Sequence, residues 1–124
     1  MNSNGLLAKV ALDTQSILTP TFVYQTPNNG YITLLDIYIA ADPSLVTDIT
    51  LYVSKQITAP NNDDAIIVNK PLNGTIVLNN IEATYNESIF IAATNTSGSG
   101  TVTVQVRGRT QIVPPGLLIA EATR

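Results

Sequence analysis

The 124 residues contain no cysteine, no histidine and no tryptophan. The chain by itself therefore builds no disulfide framework, no Cys- or His-ligated zinc site, no thiol nucleophile and no Ser-His-Asp relay. Charge is also scarce: 12% of residues are charged, about half the ~25% usual for soluble domains. With six basic residues against nine acidic ones, no nucleic-acid partner is expected, because phosphate binding needs clustered Lys and Arg. No apolar run approaches the ~20 residues that cross a bilayer, so no membrane partner is expected either. Met1-Asn2-Ser3-Asn4-Gly5 carries no basic segment and leads into no long apolar one, which predicts a chain without a cleaved signal peptide. The sequons at Asn73, Asn86 and Asn95 are then accidental.

What is present is β-forming material. Val, Ile and Thr supply 40 of the 124 residues, and their branched Cβ atoms favour a pleated strand over a helix. Period-2 alternation is plain in several stretches. Over residues 101–107, Val102, Val104 and Val106 fall on one face and Thr101, Thr103, Gln105 and Arg107 on the other. Ile49, Leu51 and Val53 alternate with Thr50, Tyr52 and Ser54; Thr33, Leu35, Ile37 and Ile39 alternate with residues that include Asp36 and Tyr38. Ile76 with Leu78, and Ile89 with Ile91, anchor two shorter strands. One apolar and one polar face per strand suits an antiparallel sheet packed on one side. Pro27-Asn28-Asn29-Gly30, Ala41-Asp42-Pro43-Ser44, the run from Ala59 to Asp64, Asn73-Gly74 and Ser97-Gly98-Ser99-Gly100 provide turn chemistry between them. A mass of 13.2 kDa suffices for one core, with about two-thirds of the unfolded surface buried. The expected fold is all-β: a single antiparallel β-sandwich, jelly-roll-like, of about seven or eight strands. A closed barrel is the alternative, and helix is confined to a turn or two near either end. The sandwich should occupy residues 17–110, with an N-terminal arm or first strand over 1–16 and a C-terminal arm over 111–124.

The termini differ from the middle. Ile112-Val113-Pro114-Pro115 and Gly116-Leu117-Leu118-Ile119 close the chain with apolar side chains in no clean alternation. Leu117, Leu118 and Ile119 left in water would forgo very roughly 5–8 kcal/mol of transfer free energy. They either fold back on their own sandwich or dock on a neighbouring subunit. Tyr38 and Tyr52 both point away from the core by parity, and on adjacent strands they would form an exposed aromatic strip suited to an interface or a sugar ring. The expected subunit-interface residues are thus Leu6, Leu7, Tyr38, Tyr52, Ile112, Val113, Leu117, Leu118 and Ile119.

Catalytic chemistry is hard to assemble from the remainder. The adjacent pair Asp63-Asp64 sits in a turn-rich loop, where it reads as solvated rather than as a glycosidase pair. Asn61-Asn62-Asp63-Asp64 lacks the alternation and terminal Glu of a calcium loop. Ser54 and Lys55 are neighbours on a strand end and face opposite ways. Arg107-Gly108-Arg109 sets two guanidinium groups on one side of a strand, where they could meet an acidic partner. No catalytic residue, metal or cofactor is expected.

A resemblance spans residues 16–110. Tyr24-Gln25-Thr26-Pro27 closing a strand, Gly30 in a turn and alternating aliphatics over 32–38 come first. Asp48-Ile49-Thr50-Leu51-Tyr52-Val53, Leu72-Asn73-Gly74-Thr75-Ile76-Val77-Leu78, Glu87-Ser88-Ile89-Phe90-Ile91-Ala92-Ala93 and Thr101-Val102-Thr103-Val104-Gln105-Val106 follow. In this order of strands and turns the chain resembles the small β-sandwich virion structural proteins of tailed bacteriophages. It departs from them at Tyr85-Asn86-Glu87, where such proteins often place a Gly-Asp turn, and after Gln111, where it has no counterpart. The resemblance implies a non-enzymatic component of a virus particle, assembled in the host cytoplasm. Its partners would be further copies of itself, most simply in a trimer, and the major capsid protein or a tail protein of the particle. A capsid decoration or cement protein is the first expectation. A tail, neck or baseplate subunit is the alternative, and a carbohydrate-binding module using tyrosine stacking is a third.

Overall fold

A computed structural model describes residues 5–98 and 100–111. They form eight strands: β1 (Gly5–Asp13), β2 (Thr21–Gln25), β3 (Ile32–Ala41), β4 (Val46–Ser54), β5 (Ala65–Leu72), β6 (Thr75–Ala83), β7 (Ser88–Ser97) and β8 (Thr101–Gln111). Two single 3-10 turns interrupt them, Thr14–Ile17 and Asn62–Asp64. The second lies mid-chain, not near an end as expected. There its Asp64 carboxylate accepts from Ser54 Oγ at 2.6 Å and from the Asn61 N–H at 2.9 Å.

The strands divide into two four-stranded sheets, ordered β1-β8-β3-β6 and β2-β7-β4-β5. All pairings are antiparallel, and β1 pairs β8, β2 pairs β7, β3 pairs β6 and β4 pairs β5. That nesting describes one long hairpin, with its tip between β4 and β5, rolled up so that β3 also meets β8 and β4 also meets β7. The result is a jelly roll, an arrangement in which two faces bury one core and only four strands remain as edges. The inner faces are what alternation predicts. Leu35, Ile37, Ile39, Val102, Val104 and Val106 of the first sheet meet Ile49, Leu51, Ile89, Ile91 and Ala93 of the second, all without solvent exposure. Ile17 and Leu45 close the core from the β1–β2 and β3–β4 connections.

Three bulges adjust the ladders with the same device. Val68 and Asn69 of β5 together oppose Thr50, between the pairs Ile49–Lys70 and Leu51–Ile67. Asn79 and Asn80 of β6 oppose Asp36, between Leu35–Ile81 and Ile37–Leu78. Asn69 and Asn80 take left-handed backbone angles, φ 47° and 57°, which Asn tolerates better than other side chains. Each donates its N–H to the outward side chain that it faces: Asn69 to Thr50 Oγ1 and Asn80 to Asp36 Oδ1, both at 3.0 Å. On β7, Asn95 repeats the left-handed conformation at φ 53°, and its amide donates to Asp48 Oδ2 at 2.9 Å. An extra residue in an edge strand bends and twists it, so β5 and β6 are poor templates for uncontrolled pairing.

The register fixes which connections share an end. Gly5 lies opposite Gly108, Ile32 opposite Gln111 and Thr33 opposite Ala83. The start of β1 and the end of β8 therefore sit together with the β2–β3, β4–β5 and β6–β7 connections. A local network stiffens this end. The buried Thr26 hydroxyl donates to Thr84 O at 2.7 Å and accepts from the Glu87 N–H at 2.9 Å, while the Glu87 carboxylate receives the Thr84 N–H. The turn this holds is Tyr85-Asn86-Glu87, with Asn86 at φ 60°. Lys55 reaches the same turn, its Nζ bonded to Tyr85 O and 4.7 Å from the Tyr85 ring centroid.

Candidate functional site

Among the described residues no three His, Cys, Asp or Glu side chains gather as a metal site, and no helix is long and apolar enough to cross a membrane. The candidate surfaces for a partner are the end where β1 begins and β8 stops and the outward faces of the two sheets.

At the terminal end, Leu6 is 52% and Leu7 37% exposed. A bulge between Leu6 and Ala8 lets Leu7 turn back over Gly108: a Cβ built on Gly108 would stand 3.0 Å from Leu7 Cδ1 and 2.7 Å from Leu34 O. Leu7 and Leu35 thus both approach the space above Gly108, and Leu6 stands in register with Arg107. Within the expected arm or first strand over residues 1–16, Gly5–Asp13 form β1, an edge strand of the first sheet. Ile112, Val113, Leu117, Leu118 and Ile119 lie outside the described residues. The chain enters that segment from Gln111, at the same end as Leu6 and Leu7.

The tyrosine strip does not form. Tyr38 and Tyr52 do point outwards, but β3 belongs to the first sheet and β4 to the second, so the rings decorate opposite faces of the sandwich. Alternation sets which way a side chain points and carries no information about which sheet a strand joins.

The two outward faces differ in chemistry. On the first sheet, Tyr38 stands in register between Gln105 and Val77, and Asp36 stands beside Arg107. Arg107 and Arg109 share this face with Lys9. Arg107 also lies against Gln105, whose side-chain oxygen in its favourable orientation accepts from Nε at 2.7 Å.

The outward face of the second sheet is more apolar and less open. Phe90 is only 1% exposed although it points away from the core, because Phe22 packs edge-on against it with ring centroids 6.1 Å apart. Next to this pair lies a cleft of about 280 Å³. Thr50 and Tyr52 of β4 and Ala92 and Thr94 of β7 line it from the sheet, Leu18 and Pro20 from the β1–β2 connection, and Ala65, Val68, Asn69 and Asn62 from β5 and the turn before it. Asn69 Oδ1 accepts from both threonine hydroxyls, at 3.3 Å from Thr50 and 3.1 Å from Thr94. This cleft was not anticipated from the sequence, because Leu18, Tyr52 and Asn69 come together only through the roll of the hairpin. Among titrating groups, Tyr24 has its phenol pKa raised above the ordinary value of 10.0 by burial; it packs on the core and lies outside the cleft.

In comparisons with known proteins, no family model matches this sequence and no curated protein matches it.

Proposed function

We propose that this chain is a non-enzymatic structural protein of a virus particle, a capsid decoration or cement subunit that acts by adhesion. The observation that supports the reading is the shared end of the described chain, where β1 begins and β8 stops at Gln111. The exposed Leu6 and the half-exposed Leu7 stand at the end of the jelly roll from which the chain continues into Ile112, Val113, Leu117, Leu118 and Ile119. In this reading the apolar residues that follow Gln111 in the sequence join Leu6 and Leu7 in burying surface on a neighbour. On a repeated lattice, many such contacts add multivalently even when each is weak. In this reading the partners are other copies of the chain, in a trimer, and the major capsid protein.

Counting this protein against the major shell protein in purified particles, by quantitative mass spectrometry, tests the proposal. A ratio near or just below parity fits lattice-wide decoration, a small fraction moves the subunit to the tail, neck or baseplate, and absence from particles refutes the virion reading. Deleting residues 114–124 should abolish incorporation while thermal unfolding of the sandwich stays unchanged. Loss of the folded state in that deletion would make the segment an intramolecular one.

A further inference from the structure

We propose that the cleft on the outward face of the second sheet is a binding site for a neutral saccharide. This goes beyond the adhesive role and does not depend on it.

Three properties of the cleft select that chemistry. First, none of its lining side chains among the described residues is charged, which favours an uncharged ligand over a phosphate, a carboxylate or an ammonium group. Second, its lining combines apolar and hydrogen-bonding groups: Tyr52, Val68 and Leu18 occur together with Asn62, Asn69 and the threonines. A pyranose ring presents the complementary surface, C–H faces bounded by hydroxyls that both donate and accept, and a tyrosine ring serves such faces with an apolar body and a polar tip. Third, hydrogen-bonding capacity is left over. Asn69 Oδ1 is occupied by the two threonine hydroxyls, whereas its Nδ2, the Asn62 amide and the Tyr52 hydroxyl make no hydrogen bond within the described residues.

The geometry is also fixed in advance. Asn69 is the left-handed residue of the β5 bulge, and its own N–H is tied to Thr50; bulges of this kind re-aim a side chain next to a binding site. Pre-set donors matter to a weak ligand, since less ordering accompanies binding. At about 280 Å³ the cleft falls just under the ~300–1,000 Å³ that encloses a drug-sized ligand, so it takes one or two sugar rings and leaves the rest of a glycan in water. Tyr38, on a flat face among Arg107, Asp36 and Lys9, has no such setting.

The test is a titration of the full chain with maltose, cellobiose, lactose and N,N′-diacetylchitobiose, followed by amide chemical-shift changes, with sialyllactose as an anionic comparison. The expected result is saturable shifts confined to Thr50, Tyr52, Asn62, Val68, Asn69 and Thr94 with at least one neutral sugar. Tyr52→Ala and Asn69→Gly should each weaken that binding about tenfold. Asn69→Gly keeps the left-handed backbone, so its effect reports the lost amide, and Tyr38→Ala should change nothing. The proposal is overturned by silence at the cleft with every neutral sugar up to about 50 mM, a Kd range of weak millimolar binding. Tighter binding of the anionic sugar, or shifts centred on the Tyr38 face, overturns it equally. Because the assay uses isolated protein in solution, its outcome is independent of whether the chain is found in particles.

Discussion

The two sheets have the same kind of inner face and different outer ones. Inside, the central strands of both contribute fully buried aliphatic side chains at alternate positions. Outside, the first sheet is polar, with Tyr38, Gln105, Arg107 and Arg109 all half-exposed, whereas the second buries Phe90, Ala92 and Thr50. The difference arises from what lies beside the strands. Phe22 shields Phe90 from the edge strand β2, and Leu18 and Pro20 of the β1–β2 connection approach Ala92 and Thr94. A sandwich core can thus be symmetric while its two outer faces differ, with a short connection and a single edge-strand aromatic deciding which is covered.

Substitutions at matched outward positions should sharpen that contrast. The largest effect is expected for Phe90→Ala, which empties a nearly fully buried outward site and should cost about 3–5 kcal/mol in chemical denaturation. Tyr38→Ala, at an outward site on the other sheet, should cost no more than about 1 kcal/mol; equal losses would dissolve the distinction between the faces. Next in size is Gly108→Ala. Its new methyl would meet Leu34 O at 2.7 Å and Leu7 at 3.0 Å, for a loss of about 1–3 kcal/mol by overpacking. Asn69→Ala and Asn80→Ala should each cost about 1 kcal/mol for the left-handed backbone, with the glycine variants recovering most of it. That pair asks whether the bulges on the two sheets are equivalent.

Two smaller effects remain. Thr33 buries a hydroxyl without a hydrogen-bond partner among the described residues, so Thr33→Val should be neutral or stabilise by up to about 1 kcal/mol in thermal unfolding. Tyr24 holds its phenol proton more tightly folded than unfolded, since burial disfavours the phenolate. Its contribution is therefore complete below its ordinary pKa of 10.0 and is lost as pH rises from there through the folded value. Tyr24→Phe should flatten that alkaline decline in a pH series of unfolding midpoints.

Strands with unbroken alternation were legible from the residues alone. Leu35, Ile37 and Ile39, then Val102, Val104 and Val106, sit where parity puts them, at zero exposure. Strands with bulges were legible only in part. In β5, Ile67 and Leu72 both face inwards although they are five positions apart, and that parity is possible only because Val68 and Asn69 together face one partner. Pro71 further disguises the segment as a loop. In β6 the alternation of Ile76 and Leu78 is legible, and the same device hides its continuation through Ile81 to Ala83. The candidate surfaces were less legible still. Leu6 and Leu7 stand out as apolar residues near an end, but the separation of Tyr38 from Tyr52, and the meeting of Tyr52 with Asn69 and Leu18, depend on pairings between distant strands. No local pattern encodes those.

The nested pairing of the strands also sets the order in which the chain can mature. Only β4 and β5 meet as near neighbours along the sequence; β1 finds its partner in β8, with Gly5 opposite Gly108. While the ribosome is still making the last strand, β1 and β3 each lack the neighbour that separates them in the finished sheet. The first sheet cannot close until β8 has left the ribosome, and folding dominated by such distant pairings is slow. For that interval the apolar faces of β1 and β3 are open to other nascent chains. Heavy co-expression should therefore yield misassembled protein at early times, before any difference in the stability of the final fold is felt.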